Sequence, residues 1–257
     1  MARKSAIAAI SVLCGLFVGC QQVNQDLAEG VRRGERYYRQ GNYTAAEQTL
    51  TQAINADRSS PVAAEGYYIR GLTRLKRGQI NNAESDFVCA IELGDRDEIK
   101  TNCQVCLGSI AYERDNFSKA YAYYMLASQH LVQMSPNDWV LYRLGDAAQK
   151  VGKWQEARKV FARLIRDFPD SEAAKSARKR LNYSYFTIQA GAFNKHSNAS
   201  DRLDQLQRAS IPARAEVIPR GASTLQVVYV GKYSNFKSAQ EMLDKVRMVV
   251  PDARIVP

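Results

Sequence analysis

Five side chains in the last third of the sequence have the chemistry of a sugar-binding surface. The first three alternate along the stretch YFTIQAGAF (185–193), and alternate side chains of a strand lie on one face. Forty residues later, LQVVYVGKY (225–233) has a similar pattern and contains the other two side chains. Tyrosine rings pack on sugar C–H groups, while hydroxyl and amide groups hydrogen-bond with sugar hydroxyls. The predicted glycan-binding residues are Tyr185, Thr187, Gln189, Val227 and Tyr229.

Cys20 follows a segment with the features of an export signal. Two basic residues precede an uncharged run that is too short to span a bilayer comfortably. The ending Leu-Phe-Val-Gly before Cys20 resembles the lipobox of bacterial lipoproteins, which implies cleavage before the cysteine and a diacylglycerol on its sulfur. An ordinary cleaved signal with an incidental cysteine is the alternative. Gln21, which is not Asp, implies sorting to the outer membrane, with the protein in the periplasm.

Three further cysteines raise the question of redox or metal chemistry. Cys103 and Cys106 form a CxxC pair, but the pair is expected on a helix and not after a strand, which disfavours a thioredoxin-like site. A zinc site needs four nitrogen or sulfur ligands, and His130 and His196 lie far away in sequence. Since export leads to an oxidising compartment, we predict a disulfide from Cys89 to Cys103 or Cys106. Buried free thiols are the alternative, and no metal or cofactor is expected.

Composition narrows the function classes. The formal net charge is +10 over 257 residues, but the basic residues are spread along the chain and no nucleic-acid-binding motif occurs, so we expect no nucleic-acid partner. No paired catalytic carboxylates, no Ser-His or Cys-His set and no metal cluster stand out in the sequence, so we expect a protein that is not an enzyme. A peptidoglycan hydrolase is the disfavoured alternative.

Residues 183–257 have the pattern of a duplicated strand–helix–strand unit. An offset of 40 aligns Gly191 with Gly231 and Phe193 with Tyr233, and a short strand follows each helix. The order βαββαβ predicts a four-stranded antiparallel sheet with both helices on one face, so the face with the five residues above stays open. We expect Phe193 and Tyr233 to fill the core beneath the turns. The side chains expected to face the helices are Phe186, Ile188 and Ala190.

The sequences QAGAF (189–193) and VGKY (230–233) resemble the hallmark of the SPOR domain, the sporulation-related repeat. This resemblance implies a ferredoxin-like fold and binding to peptidoglycan, in particular to glycan strands stripped of their stem peptides. Stripped strands carry lactyl carboxylates, so nearby basic side chains would assist. The candidates are Arg214, Arg220, Lys232 and Arg254.

Residues 27–182 contain a repeat with a period of 37. Small residues on both helices of a unit allow a close approach, and a large residue fills the seam between them. The recurring sets are Gly34, Gly71, Gly108 and Gly145; Ala46, Ala83, Ala120 and Ala157; Leu50, Phe87, Tyr124 and Phe161; and Ala53, Ala90, Ala127 and Leu164. The pattern resembles the tetratricopeptide repeat (TPR), whose period is about 34. It implies a superhelical array that binds proteins. Residues 168–180 predict one more helix, capped by Asp170 or Ser171, that closes the open end of the array.

The sequence thus predicts a two-domain α+β protein: an all-α TPR-like array followed by a βαββαβ, SPOR-like domain. The predicted segments are a leader (1–19), a tether (20–26), the array (27–182) and the domain (183–257). We hypothesise a lipid-anchored envelope scaffold that binds peptidoglycan and recruits envelope proteins, in cell division or wall remodelling. The alternative is an assembly lipoprotein for a pilus, a secretion system or an outer-membrane insertion machine.

Overall fold

Amphipathic segments of the repeat region fold into helices that pack in antiparallel pairs. The computed structural model describes residues 25–132, 134, 136–221 and 223–257, so the predicted leader and Cys20 lie outside the described residues. In the described part of the repeat region the helices are α1 (25–39), α2 (Tyr43–Ala56), α3 (Pro61–Lys76), α4 (Ile80–Leu93), α5 (Asp97–Glu113), α6 (Phe117–Ala127), α7 (Asn137–Lys150), α8 (Trp154–Asp167) and α9 (Glu172–Arg180). Ser171 caps the N-terminus of α9 with its hydroxyl, as the sequence predicts.

Each pair is closed by a glycine of its first helix that faces a large side chain of its second. A Cβ atom on Gly71 would lie 2.6 Å from the ring of Phe87, and one on Gly108 would lie 2.8 Å from the ring of Tyr124. Gly34 faces Leu50 and Gly145 faces Phe161 in the same way. The four large side chains are fully buried, so the seam predicted from the 37-residue period is confirmed.

The turn inside each pair uses a left-handed backbone. The φ angles are 76° at Gly41, 73° at Gly78, 55° at Asp115 and 82° at Gly152. Three of the four positions are glycine because that residue adopts positive φ without a steric penalty. The second helix of each pair begins two residues later, at a large side chain; these are Tyr43, Ile80, Phe117 and Trp154.

The second pair contains a buried ionic cluster that the sequence analysis did not predict. Arg70 donates two hydrogen bonds to the buried carboxylate of Asp86, at 3.0 and 2.7 Å. Arg74 donates to Asp86 at 2.9 Å and to Glu47 at 3.0 Å. Burial by itself would raise the pKa of Glu47, but hydrogen bonds and charges from Arg74 and Arg77 outweigh it and hold the pKa below its ordinary value.

The last part of the chain forms the predicted sheet with two helices on one face. Its elements are β1 (Phe186–Phe193), α10 (His196–Arg208), β2 (Ala213–Arg220), β3 (Ser223–Tyr233), α11 (Phe236–Arg247) and β4 (Arg254–Val256). The strand order is β2-β3-β1-β4, with antiparallel pairing throughout. The two strands of the duplicated phrase, β1 and β3, are therefore the central strands. Ile188 and Val228 lie in a core that the sheet shares with Leu206 of α10 and Leu243 of α11.

The described chain divides into two compact units. One extends to Asp115 and includes Ala122–Leu131; the other consists of Asn116–Tyr121 and Val132–Pro257. The second unit thus holds the fourth helix pair, α9 and the whole βαββαβ domain. The predicted boundary between residues 182 and 183 falls inside this unit.

Candidate functional site

The open face of the sheet brings aromatic and charged side chains of three strands together. Gln189 of β1 pairs with Tyr229 of β3, and Arg214 of β2 pairs with the same Tyr229 on its other side. Paired residues in an antiparallel sheet lie on the same face. The alternation predicted for β1 and β3 therefore places these side chains as expected.

A cleft of about 220 Å³ opens on this face. The rings of Tyr185 and Tyr229 lie in its wall with Arg214, and Thr187 lines it as well. The other lining residues are Asn182, Tyr183, Ser184, Glu216 and Pro257. A concave site with rings and a few polar groups suits a sugar ligand.

Arg214 is held in place by three partners. Its Nε donates to the carboxylate of Glu216 at 2.8 Å, and its Nη1 donates to the carbonyl of Gly231 at 3.0 Å. The guanidinium also lies 5.4 Å from the ring centroid of Tyr229. Burial, with the nearby Glu216, raises the pKa of Tyr229, so its hydroxyl is protonated at neutral pH and can donate to a ligand.

Lys232 supplies a second positive charge beside a second ring. Its Nζ lies 4.8 Å from the ring centroid of Tyr185. Arg254 supplies a third charge, and its Nη2 donates to the Gln189 amide oxygen at 3.2 Å. The basic side chains of Arg214, Lys232 and Arg254 lie close to the carboxylate of Glu216 and the two rings, and this excess of positive charge among them favours an anionic ligand.

The five predicted glycan-binding residues differ in their availability. Tyr185 and Tyr229 line the cleft and are half-buried. Thr187 also lines it, but its hydroxyl donates to the carbonyls of Val230 and Gly231, at 3.2 and 2.8 Å, so only its lone pairs remain for a ligand.

Val227 is 4% exposed, so a direct contact with a sugar is not available to it. Gln189 is half-buried, and its amide oxygen is engaged by Arg254. The residues available to a ligand are therefore those around the cleft at the start of β1, and not those in the middle of the face.

The sequence analysis missed Tyr183 and Glu216. Tyr183 precedes the first strand, where no strand pattern applies. Glu216 could have been found, because it lies two residues after Arg214 on β2 and therefore shares its face. Among the candidate basic residues, Arg214 lines the cleft and Lys232 lies beside the ring of Tyr185, whereas Arg220 is an exposed residue at the far end of β2.

Phe193 and Tyr233 are core residues, as predicted. Both pack against the core between the sheet and its helices. Gly231 has φ 65°, and a Cβ atom there would overlap the hydroxyl of Tyr233. Gly231 lies within β3, at a register shift against β1, and a glycine is required there both for its backbone conformation and for the Tyr233 ring.

The three cysteines in the described part of the chain lie on helices α4 and α5. Cys89, Cys103 and Cys106 are free thiols, so the predicted disulfide is not formed here. Burial raises the pKa of Cys106 to about 12 and that of Cys103 further. Both thiols are therefore protonated at neutral pH and poor nucleophiles.

Family models match three stretches of the chain. Tetratricopeptide repeat models match residues 31–89 and residues 139–171, and a SPOR domain model matches residues 182–255. The chain therefore carries tetratricopeptide repeats and a C-terminal SPOR domain, as the sequence resemblances predict. A SPOR domain implies peptidoglycan binding and occurs in the bacterial periplasm or cell envelope, and TPRs imply protein–protein interaction. Both are binding domains and not catalytic families.

Solved structures show the same helical architecture. A TPR protein from Parabacteroides merdae has a TM-score of 0.51 at 15% identity, over 72% of this chain and 68% of that one. YrrB, described as a TPR protein with an unusual peptide-binding site, has a TM-score of 0.50 at 16% identity, over 68% of this chain and 84% of that one. PilF of Pseudomonas aeruginosa has a TM-score of 0.47 at 17% identity, over 74% and 72%. The first two likenesses show the fold alone, and the third carries no argument.

A search of curated proteins finds no match. Within the described residues, no helix has the length and apolar character needed to cross a membrane.

Proposed function

We propose that this protein is a lipid-anchored scaffold of the bacterial cell envelope. Its SPOR domain binds denuded glycan strands, and its TPR array recruits envelope proteins to the sites where such strands are exposed, in cell division or wall remodelling. A lipid on Cys20 holds the protein at the outer membrane, facing the periplasm.

The observation that carries the proposal is the aromatic cleft with basic side chains beside its rings. Tyr185 and Tyr229 offer ring surface to the sugar, while Arg214 and Lys232 supply positive charge next to those rings. The stem peptide of intact peptidoglycan is joined to the lactyl group as an amide, which removes the carboxylate charge. The cations of Arg214 and Lys232 therefore favour strands from which the peptide has been removed, because these strands carry a free carboxylate.

A sedimentation assay tests the glycan specificity. The protein expressed without residues 1–20 is mixed with intact sacculi or with sacculi treated with an amidase that removes stem peptides. We expect more protein to pellet with the treated sacculi. Equal failure to pellet with both preparations would reject the proposal.

Two arginines of the same strand provide a matched pair of variants. Arg214→Ala should weaken binding to treated sacculi by about tenfold or more, since a hydrogen bond to a charged group contributes about 1.5–3 kcal/mol. Arg220→Ala removes the same charge outside the cleft and should bind nearly as well as the unmodified protein. Equal losses would mean that net charge alone drives the binding. Circular dichroism and melting curves check that both variants are folded.

Metabolic labelling tests the lipid anchor. Cells given a labelled fatty acid should label the unmodified protein, whereas Cys20→Ser should abolish the label and release the protein from the membrane fraction. Unchanged labelling of the Cys20→Ser variant would show that the lipid is not attached at Cys20 and would reject this anchor.

Localisation distinguishes the scaffold from the assembly-lipoprotein alternative. If glycan binding positions the protein, Arg214→Ala should disperse a fluorescent fusion from sites of wall remodelling. Normal localisation of a variant that no longer binds glycan would favour the alternative, in which the TPR array does the work.

A further inference from the structure

Four aromatic rings, from α6, α8 and the SPOR domain, lie together within the second unit. We call them the ring cluster: Phe117, Trp154, Phe186 and Phe236. Each is the first residue of its element, of α6, α8, β1 and α11 respectively. The ring centroids are 5.0 Å apart for Trp154 and Phe186, 5.7 Å for Phe186 and Phe236, and 5.6 Å for Phe236 and Phe117. Such tilted and edge-to-face pairs contribute more than their buried area alone.

Other contacts around the ring cluster also hold the fourth repeat against the SPOR domain. The indole Nε1 of Trp154 donates to the backbone carbonyl of Ser234 at 2.6 Å. The Nζ of Lys150 lies 3.8 Å from the ring centroid of Phe117, which is a close cation–π contact. A Cβ atom on Gly152 would lie 3.0 Å from the Ser234 carbonyl, so the turn between α7 and α8 is pressed against the SPOR backbone.

Two residues that contact the fourth repeat, Phe186 and Ser234, lie within two positions in sequence of Tyr185 and Lys232. Tyr185, in the cleft wall, precedes Phe186, and successive residues of an extended chain point to opposite faces. Lys232, the cation beside the Tyr185 ring, lies two residues before Ser234. The ring cluster therefore restrains the backbone at both places from which the Tyr185 side of the cleft is built.

We infer that Trp154 is a positioning residue for the glycan cleft, and that the fourth repeat and the SPOR domain form one rigid wall-binding body. A partner held by the fourth repeat would then keep a fixed orientation relative to the bound glycan. The ligand part of this inference rests on the proposed glycan binding, whereas the rigidity does not.

Rotational tumbling tests the rigidity without any ligand. In NMR relaxation measurements, backbone amides of β1 and β3 should share one correlation time with those of α7 and α8. In Trp154→Ala the sheet amides should tumble faster than the helix amides, while Trp139→Ala should leave them equal. Trp139 is a suitable control because it is the only other tryptophan and lies 45% exposed in the same repeat. Separate correlation times in the unmodified protein would overturn the inference.

Glycan affinity tests the positioning role. We expect Trp154→Ala to weaken binding to denuded glycan by at least about fivefold, a typical size for coupling between sites. Trp154→Phe keeps a ring but loses the donor to Ser234, so its affinity should be intermediate. Unchanged affinity in Trp154→Ala, with the sheet released from the repeat, would overturn the positioning role.

Fluorescence gives an independent readout of the same coupling. Trp139→Phe leaves Trp154 as the only tryptophan. Trp154 is not among the residues that line the cleft, so a change in its emission on glycan binding reports a signal passed through β1 or the β3–α11 turn. Constant emission at saturating glycan would contradict the coupling.

The two proposals can fail separately. If neither the unmodified protein nor any variant binds glycan, the proposed function is rejected. The NMR correlation times would still test whether the fourth repeat and the SPOR domain form one rigid body.

Discussion

At the scale of single residues, two glycines of the SPOR domain show how backbone and packing demands can be separated. Gly231 and Gly221 both have positive φ, at 65° and 59°. A Cβ atom on Gly231 would overlap the Tyr233 hydroxyl, whereas no atom lies within 4 Å of the corresponding position on Gly221. The two positions therefore share a conformational requirement and differ in a steric one.

We expect Gly231→Ala to lower the free energy of unfolding by about 2–5 kcal/mol, because an unfavourable backbone costs about 1–2 kcal/mol and overpacking adds about 1–3. Gly221→Ala should cost only the backbone part, about 1–2 kcal/mol. Urea denaturation of both variants measures the difference. Equal losses would show that the Tyr233 ring moves aside without cost.

At the scale of helices and strands, the closure of each repeat depends on one glycine facing one large residue. Gly71→Ala improves intrinsic helix propensity by about 1 kcal/mol, but its Cβ would press on the fully buried ring of Phe87. Since overpacking costs about 1–3 kcal/mol, we expect a net destabilisation of up to about 2 kcal/mol. In a Phe87→Leu background the same substitution should cost less, by at least about 0.5 kcal/mol. Strict additivity in thermal unfolding would contradict the close packing.

The ionic cluster of the second repeat allows a comparison of buried and exposed charges on α4. Asp86→Ala leaves Arg70 and Arg74 without their shared carboxylate and should cost about 3–5 kcal/mol. Glu84→Ala removes a pair with the more exposed Arg114 and should cost less than about 1 kcal/mol. Chemical denaturation measures both. Similar losses for the two variants would mean that Arg70 and Arg74 find other partners or water once the Asp86 carboxylate is removed.

At the scale of the whole molecule, stability is expected to be local, since repeats contact chiefly their neighbours. Asp86→Ala should speed hydrogen exchange in α2, α3 and α4, while amides in the central strands β1 and β3 keep their protection. Mass spectrometry of peptic fragments measures this. Faster exchange across the entire chain would instead show that the described residues unfold as one cooperative unit.

Features repeated along the chain could be read from the sequence, and features that join distant segments could not. The glycine–aromatic seam recurs every 37 residues, so its steric logic is visible without coordinates. The open face of the sheet follows from alternation in β1 and β3. In contrast, the alternation in β1 predicts only that Phe186 faces the domain's own helices, and no residue near it in sequence indicates Trp154 of α8 as a second partner. The contact of Arg214 with Tyr229 likewise depends on the register of β2 against β3.

The position of β1 also has a mechanical consequence. In a scaffold tied to a membrane at one end and to the wall at the other, tension enters the SPOR domain through the residues before Phe186. That strand is hydrogen-bonded on both sides, to β3 and β4, and the bonds run across the strand direction. A pull along β1 must therefore shear many bonds together, where a pull on an edge strand would peel them singly. The Trp154–Ser234 bond adds a second load path that bypasses the linker after α9. We therefore expect the domain to resist a force applied along β1 better than a force that peels an edge strand.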